Sequence, residues 1–234
     1  MNLALNERVV AVTGAFGNLG QALVQLLAER GARVVLIDRA ASPPEQAACP
    51  AGALLLCGID LTSAADAERA ASRIDEQFAR LDGLVNVAGG FAWETLADGE
   101  LDCWDRLYAL NLRSTVCTSK ALLPLLTRST QGRIVNVGAA AAARATTGMG
   151  PYAASKAGVQ RLTESLADEL KHQGITVNAV LPSIIDTPQN RQDMPDAAHG
   201  DWVKPEQLAA VIAFLLSAEA SAITGAGIPV TGRV

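Results

Sequence analysis

The sequence predicts one α/β domain in which helices cover both faces of a doubly wound parallel sheet of about seven strands. The first observation is that short β-branched runs alternate with longer helical patterns along the 234 residues. The second is that the strand runs are apolar throughout, which is typical of parallel strands buried on both faces. The third is the abundance of small residues, including 20 glycines, because small residues let helices pack closely on a sheet.

The strands are predicted from runs of β-branched and other apolar residues. They are Arg8–Thr13, Arg33–Asp38, Ala53–Cys57, Leu84–Val87, Arg133–Val137, Ile175–Leu181 and Gly227–Val230. Right-handed crossovers between them give the doubly wound arrangement. Such a sheet binds ligands beyond the carboxyl ends of its strands, so functional residues are expected just after strands.

Five helices are predicted from apolar residues at helical spacing. They are Asn18–Arg30, a helix from Thr62 or Ser63 to about Arg80, Cys103–Arg128, Tyr152–His172 and Gln207–Ala218. Gly31 is expected to end the first helix, and Pro124 to bend or tighten the third. Ala40–Ala51, with three prolines, reads as a surface loop. The long segment Ser183–Lys204 is expected to be a functional loop.

Composition and charge exclude several classes of function. The net charge is −5 and the chain has no basic stripe, so a nucleic-acid partner is not expected. No run reaches the ~20 apolar residues of a membrane-spanning helix, and the N-terminal residues show no signal peptide. The four cysteines are widely spaced and there are only two histidines, so no metal site is expected. We therefore expect a cytoplasmic protein with reduced cysteines and no membrane partner.

A glycine-rich turn after the first strand predicts a dinucleotide-binding site. Gly14, Gly17 and Gly20 follow Thr13 in a Gly-x-x-Gly-x-x-Gly pattern, between a strand and a helix. The first glycine permits a tight turn, the second lets the backbone approach a pyrophosphate, and the third lets the helix pack on the strand. The phosphates then meet free N–H groups at the helix N-terminus.

The ends of the next strands complete the expected cofactor site. Asp38 ends the second strand, where a carboxylate accepts hydrogen bonds from ribose hydroxyls and repels a 2′-phosphate. We therefore expect NAD in preference to NADP, although Arg39 follows directly and can pair with phosphate. Asp60, after the third strand, is positioned to contact adenine. Small residues around Gly89, after the fourth strand, let the backbone lie against the cofactor.

Tyr152 and Lys156 predict acid–base chemistry. They lie at positions i and i+4 of a predicted helix and so share one face. A nearby ammonium favours the phenolate, so Lys156 is expected to lower the pKa of Tyr152 from its ordinary value of about 10. Tyr152 can then exchange a proton with a substrate while hydride moves to or from a nicotinamide.

Together these motifs resemble the short-chain dehydrogenase/reductase family along essentially the whole chain. The glycine-rich turn, Asp38, Asn86-x-Ala88-Gly89, Asn111, Tyr152-x-x-x-Lys156, and Pro182 with Thr187 occur in the family's order. The resemblance implies one Rossmann-type domain over residues 1–234 that binds NAD(P) and a small-molecule substrate, with residues 183–204 as the substrate loop. It also implies a homodimer or homotetramer formed through the helices Cys103–Arg128 and Tyr152–His172.

The resemblance also assigns roles to single residues. Tyr152 is the acid/base, Lys156 lowers its pKa and holds the nicotinamide ribose, and Asn111 supports a water-linked proton relay. Thr187 contacts the nicotinamide carboxamide. The residues expected to bind the cofactor are Gly14, Phe16, Gly17, Asn18, Leu19, Gly20, Asp38, Arg39, Asp60, Leu61, Val87, Ala88, Gly89, Tyr152, Lys156, Pro182, Ile185 and Thr187.

Three departures from the family pattern bear on the chemistry. Asn18 stands where the second glycine of the turn usually lies, and Val87 replaces the usual second asparagine of Asn-Asn-Ala-Gly. Ala139 stands 13 residues before Tyr152, where the family has its catalytic serine. Loss of one oxyanion-type donor commonly costs about 10²–10³ in rate, so the hydroxyl has to be replaced or not needed.

The segment after the sixth strand is similar to that of the quinonoid dihydropteridine reductase branch of the family, which also lacks the serine. The matching residues are Ala179–Pro182, Asp186-Thr187-Pro188, Asn190-Arg191, Met194-Pro195 and Trp202. An electron-poor dihydropterin accepts hydride readily and needs less polarisation by a hydroxyl. An NADH-dependent reductase of a small planar substrate is therefore the leading hypothesis, although Asn111 is closer to the general family pattern.

Two other hypotheses stay open. The first is an ordinary alcohol/carbonyl oxidoreductase in which Thr146, Thr147 or Ser183 supplies the missing hydroxyl. The second is a dinucleotide-binding regulatory protein without catalysis, against which the retention of Tyr152 and Lys156 argues. The candidate substrate contacts, chosen because substrate pockets are mostly apolar, are Ala139, Trp93, Met149, Arg191, Met194 and Trp202.

Overall fold

A computed structural model describes residues 5–234. Within them, seven parallel strands form one sheet. The strands are β1 (Val9–Thr13), β2 (Arg33–Ile37), β3 (Leu54–Leu56), β4 (Gly83–Asn86), β5 (Arg133–Val137), β6 (Thr176–Pro182) and β7 (Gly227–Val230). Their spatial order is β3-β2-β1-β4-β5-β6-β7, so the direction of winding reverses between β1 and β4. The predicted doubly wound sheet is confirmed. Residues 1–4, where the absence of a signal peptide was in part predicted, lie outside the described residues.

The helices lie on both faces of this sheet. They are α1 (Asn18–Glu29), α2 (Ala64–Phe78), α3 (Leu101–Leu107), α4 (Ser114–Leu126), α5 (Gly150–Leu170), α6 (Pro188–Asp193) and α7 (Pro205–Leu216). One core cluster joins one face of the sheet to α1 and α7. The other joins the opposite face to α2, α4 and the end of α5. Successive side chains of β1 point to opposite faces of the sheet, since Val10 lies in the first cluster and Ala11 in the second.

Most predicted boundaries agree with the structure to within a few residues. The bounds of β5 and β7 are as predicted. Ser63, not Thr62, caps α2, and its hydroxyl accepts a hydrogen bond from the Asp66 N–H at 3.4 Å. Gly31 follows the end of α1 with φ +83°, a conformation that favours glycine.

The single helix predicted over Cys103–Arg128 is wrong. The chain instead forms α3, a π-helical turn at Tyr108–Arg113, and then α4. Pro124 lies inside α4, which continues for two further residues. A π turn accommodates one extra residue and often marks a functional site. Here it carries Asn111.

The segment Ser183–Lys204 contains more structure than the predicted loop. Thr187 caps α6 by accepting a hydrogen bond from the Asn190 N–H at 3.2 Å, and Pro188 occupies the first helical position, where proline is favoured. A β-bridge joins Ile185 to Val203, and the Asp186 N–H donates to the Val203 carbonyl at 2.8 Å. These contacts fold the segment back on itself.

Candidate active site

Two glycines of the glycine-rich turn are required by packing within the chain. Gly14 has φ +60°, and a Cβ there would lie 2.9 Å from the Cα of Ala88. A Cβ on Gly20 would lie 2.2 Å from the carbonyl oxygen of Gly14. Both obstacles are backbone atoms, so neither glycine can carry a side chain without displacing the turn.

Gly17 is a glycine for a different reason. Its φ is −75°, and the nearest atom to an added Cβ, the Gly14 carbonyl oxygen, is 3.4 Å away. Gly17 is also the N-cap residue of α1, and no side chain within residues 5–234 caps this helix. The first N–H groups of an α-helix lack intrahelical partners and attract anions. The turn therefore fits a cofactor diphosphate, with Phe16, Asn18 and Leu19 beside Gly17.

Asp38 lies directly against this turn. One carboxylate oxygen of Asp38 accepts a hydrogen bond from the Phe16 N–H and the other from the Ala40 N–H, each at 3.0 Å. A carboxylate has about four acceptor positions, so each oxygen can still accept a ribose hydroxyl. Arg39 is exposed at the same edge.

The end of β4 is tied to the end of β1 by Thr13, which we did not include among the predicted site residues. The Thr13 hydroxyl oxygen accepts hydrogen bonds from the N–H groups of Val87 and Ala88, both at 3.0 Å. These bonds fix the Val87-Ala88-Gly89 segment beside Gly14. The position of Thr13, directly before the first glycine, is the signal that identifies it.

Asp60, the predicted adenine contact, and Leu61, a predicted cofactor contact, have distinct environments. Asp60 is exposed, and its Oδ1 accepts hydrogen bonds from the N–H and the hydroxyl of Thr62 at 2.9 and 2.7 Å. Leu61 is 7% exposed and belongs to the core. Asp60 therefore lies at the surface, while the Leu61 side chain anchors the segment.

Asn111, on the π turn, joins three elements through its side chain. Its Oδ1 accepts a hydrogen bond from the Gly90 N–H at 2.8 Å, and its Nδ2 donates to the Gly90 carbonyl at 3.1 Å. Nδ2 also donates to the Ser155 hydroxyl at 2.9 Å, and this hydroxyl donates to the Tyr152 carbonyl at 2.7 Å. Asn111 thus connects the loop after β4 to the first turns of α5. Ser155 was not predicted as a site residue.

Tyr152 and Lys156 lie one turn apart on α5, as predicted. The Lys156 Nζ donates to the Val137 carbonyl at 2.7 Å. Burial lowers the pKa of Lys156 to about 8, and burial raises the pKa of Tyr152 to about 12. The expected lowering of the Tyr152 pKa is therefore wrong for this structure, because desolvation of the buried phenol raises it.

Ala139 follows β5 and is 3% exposed, so it offers only a buried methyl group. Two of the three candidate replacement hydroxyls are already engaged. The Ser183 hydroxyl donates to the Thr231 carbonyl at 2.8 Å, and the Thr146 hydroxyl donates to the Met149 sulfur at 3.0 Å. Thr147 is exposed.

The remaining predicted substrate contacts on the segment after β6 make internal contacts. Arg191 donates from Nε and Nη2 to the Asp186 carboxylate at 2.5 and 2.8 Å. Trp202 is 5% exposed and packs against His199, with ring centroids 4.5 Å apart. Met194 ends α6, and its carbonyl oxygen lies 2.9 Å from Nε2 of His199. These residues stabilise the segment itself, and their roles as substrate contacts stay predictions.

The N-terminal turn of α1 and the segment after β6 border an open cavity of about 560 Å³. It is lined by Asn18, Gln21, Ala22, Gln25, Gln46, Ala48, Asp186, Thr187, Pro188, Arg191, Lys204, Pro205 and Glu206. Asn18 and Thr187, both predicted cofactor contacts, thus face the same space. Pro182 and Ile185 position the start of this segment at the carboxyl end of β6.

Comparison with known proteins places this fold and site in a family. A family model described as short chain dehydrogenase matches residues 8–198. The chain is 32% identical over 240 residues to meso-2,3-butanediol dehydrogenase of Serratia marcescens, covering 98% of this chain and 95% of the relative. It is 34% identical over 243 residues to 3-oxoacyl-(acyl-carrier-protein) reductase FabG of Pseudomonas aeruginosa, covering 98% of each. A solved short-chain type dehydrogenase/reductase from Mycobacterium ulcerans matches with a TM-score of 0.89 at 26% identity, covering 98% of this chain and 90% of that chain.

The chain belongs to the short-chain dehydrogenase/reductase family. It is an NAD(P)-dependent short-chain oxidoreductase, and the predicted family and enzyme class are confirmed. The relatives do not single out the dihydropteridine reductase branch. Within residues 5–234, every helix is too short or too polar to span a membrane.

Proposed function

We propose that the chain interconverts ketones and secondary alcohols with NAD(H), a function that we had predicted only as the alternative. The observation that carries this proposal is the arrangement of Tyr152, Lys156 and Asn111 around the carboxyl ends of β4 and β5. The relatives support it, since one is named for a 3-oxoacyl group, which is a ketone, and another for butanediol.

Each residue of the site would have a distinct role in such a reaction. A Tyr152 pKa of about 12 keeps the phenol protonated at neutral pH, so the phenol can donate a proton to a carbonyl oxygen. When bound, the nicotinamide supplies the hydride, and hydride plus proton convert the carbonyl to an alcohol. Lys156 is fixed by Val137 within reach of Gly89, where an added Cβ would lie 3.4 Å from Nζ. Lys156 would therefore hold the ribose on the Gly89 side of the site.

A quinonoid dihydropterin remains the second candidate substrate, because of Ala139. There is no hydroxyl at this position, and of the three candidate replacements Ser183 and Thr146 are engaged elsewhere, which leaves Tyr152 and Thr147 to polarise the carbonyl. An electron-poor substrate tolerates this loss better than a simple ketone. The two candidates therefore differ in how much a hydroxyl at residue 139 should matter.

Steady-state oxidation of NADH with a panel of ketones and with quinonoid dihydropterin tests the proposal. We expect ketone turnover above that of the dihydropterin, and an increase of about tenfold or more in ketone kcat/KM for Ala139→Ser, since one oxyanion donor is worth at least this much. Ala145→Ser, at an exposed alanine of the same segment, is the matched control and should change nothing. Turnover of the dihydropterin alone would contradict the proposal and favour the second candidate.

We further propose NAD as the preferred cofactor, supported by the Asp38 carboxylate against the glycine-rich turn. Asp38→Asn removes the charge at nearly constant shape. It should lower kcat/KM with NADH and, by removing a repulsive charge, raise kcat/KM with NADPH. We expect the ratio of the two values to change by about 100-fold, because one hydrogen bond to a charged group is worth about 1.5–3 kcal/mol. Glu45→Gln, an exposed acid in the following loop, controls for net charge. A wild-type preference for NADPH, or an unchanged ratio in Asp38→Asn, would contradict the assignment.

The proposed assembly is a homodimer or homotetramer in the cytoplasm. It is supported by apolar side chains that stay exposed on α3, the π turn and α4, namely Leu101, Trp104, Tyr108 and Val116. Exposed apolar patches of this kind are typical of interfaces. The four cysteines are free, which suits a reducing compartment.

A further inference from the structure

Two exposed aromatic side chains, Phe91 and Trp93, lie on the loop after β4, and Phe91 contacts Tyr152. The ring of Phe91 meets that of Tyr152 edge to face, with centroids 4.9 Å apart and an interplanar angle of 79°. Phe91 is nevertheless 54% exposed, and Trp93 is 58% exposed. Large rings left half open next to a reacting group form a surface that a ligand can cover.

The fold fixes this loop on both sides of Phe91. On one side, Asn111 binds both the N–H and the carbonyl of Gly90. On the other side, Trp93 packs on Gly148, where an added Cβ would lie within 2.1 Å of the indole and where φ is +76°. The Glu94 N–H also donates to the Gly148 carbonyl at 2.8 Å. Phe91 is therefore held in place between two attachments, as a preorganised contact surface should be.

The charge near this surface disfavours an anionic ligand. The loop and α3, residues 94–107, carry five carboxylates and one basic residue, Arg106. Like charges disfavour the binding of anions. On the inner side, Ala139 presents no polar group, and Met149 at the start of α5 is partly exposed.

We propose that Phe91 and Trp93 form the substrate-facing wall of the site and select neutral ketones whose carbonyl carries a flat aromatic ring. Aromatic pairs attract each other beyond the area that they bury, and their edge-to-face and offset geometries orient the partner ring. A ring oriented by Phe91 places its attached carbonyl beside the Tyr152 phenol. This inference rests on the proposed ketone reduction and names its substrate class.

Reduction of acetophenone is to be compared with that of cyclohexyl methyl ketone, whose saturated ring has a similar size. Phe91→Ala should lower kcat/KM for acetophenone about tenfold, mainly through KM, and for cyclohexyl methyl ketone less than about threefold, since about 1.4 kcal/mol of aromatic contact corresponds to tenfold. Trp93→Ala should act in the same direction. Leu96→Ala, 82% exposed in the same loop, is the matched control and should leave both ketones unaffected. The wild type should also prefer acetophenone to the anion 4-acetylbenzoate.

Several outcomes would overturn the inference. An equal loss for both ketones, carried by kcat, would mean that Phe91 only positions Tyr152. A wild-type preference for cyclohexyl methyl ketone or for 4-acetylbenzoate would also exclude the wall. Calorimetric binding of acetophenone in the presence of NAD⁺ separates this inference from the proposed function. If acetophenone bound in a way that depends on Phe91 but was not reduced, the wall would stand and ketone reduction would be rejected. If acetophenone neither bound nor was reduced, the wall and ketone reduction would both be rejected.

Discussion

Tyr152→Phe is expected to lower kcat/KM for ketone reduction by about 10³–10⁴-fold, near the upper end of what one general acid contributes. The reason for so large an effect is Ala139, since this position has no hydroxyl to polarise the carbonyl in place of the phenol. Burial raises the pKa of Tyr152 to about 12, so the phenol carries its proton at the pH of the assay. The phenylalanine ring keeps the edge-to-face contact with Phe91 and loses only the proton donor.

Initial rates and NADH titration check this prediction together. NADH affinity and the thermal unfolding midpoint should stay close to those of the wild type, because only the hydroxyl is removed. Tyr108→Phe is the matched control, since Tyr108 is the only other tyrosine and lies exposed on the π turn. If Tyr152→Phe retained wild-type activity, the proton would come from another group and the assigned role of Tyr152 would be wrong.

Gly20→Ala is expected to destabilise the protein by about 3 kcal/mol or more, the upper part of the range for overpacking. The added Cβ would lie 2.2 Å from the Gly14 carbonyl oxygen and 2.9 Å from the carbonyl carbon of Ala15. Both atoms belong to a backbone that also packs on Ala88, so α1 would have to move away from β1. Urea unfolding measures the loss, and NADH binding should disappear with it.

Gly17→Ala is expected to weaken NADH binding while leaving the stability of the fold nearly unchanged. Its free energy of unfolding should stay within about 1 kcal/mol of the wild type. The φ angle is −75°, and the nearest atom to the added Cβ beyond the adjacent residues is the Gly14 carbonyl oxygen at 3.4 Å. NADH affinity should nevertheless fall about tenfold or more, since a methyl group would obstruct the approach of a diphosphate to the helix N-terminus. Gly200→Ala, with nothing within 4 Å of its added Cβ, should change neither quantity. Unimpaired NADH binding by Gly17→Ala would contradict this division.

Features with a local sequence signal could be predicted. The strands are apolar throughout because both faces of the sheet are covered, so runs such as Arg133–Val137 stand out from the helices around them. The glycine-rich turn could be predicted because φ +60° at Gly14 and the close approach at Gly20 each demand glycine. The carboxylate of Asp38, directly after β2 and hydrogen-bonded to the glycine-rich turn, could be predicted from its position at the end of a strand in the same way.

Features that depend on tertiary contacts could not be predicted from the sequence. The π turn differs from an α-helix by a shift of one hydrogen bond, and residues 108–113 carry no composition that marks it. The pKa of Tyr152 depends on burial in the folded chain, and a spacing of i to i+4 gives no information on burial. The resemblance of the segment after β6 to dihydropteridine reductases does not identify a branch of the family, for a related reason. In this chain Arg191 pairs with Asp186 and Trp202 is buried. Such internal contacts are compatible with many substrates.

The π turn at Tyr108–Arg113 has a consequence for the surfaces of the helices that it joins. An α-helix rotates by about 100° per residue, so one surplus residue offsets the faces of α3 and α4 by that angle. Cys103 and Leu107 of α3 are buried on one side of the offset, and Leu122 and Leu126 of α4 on the other. Without this offset, the direction of the α3 pair relative to the α4 pair would change by about 100°, so a buried pair or the Asn111–Gly90 contact would have to move. The π turn thus lets α3 and α4 each bury their apolar residues while Asn111, between them, keeps its hydrogen bonds to Gly90.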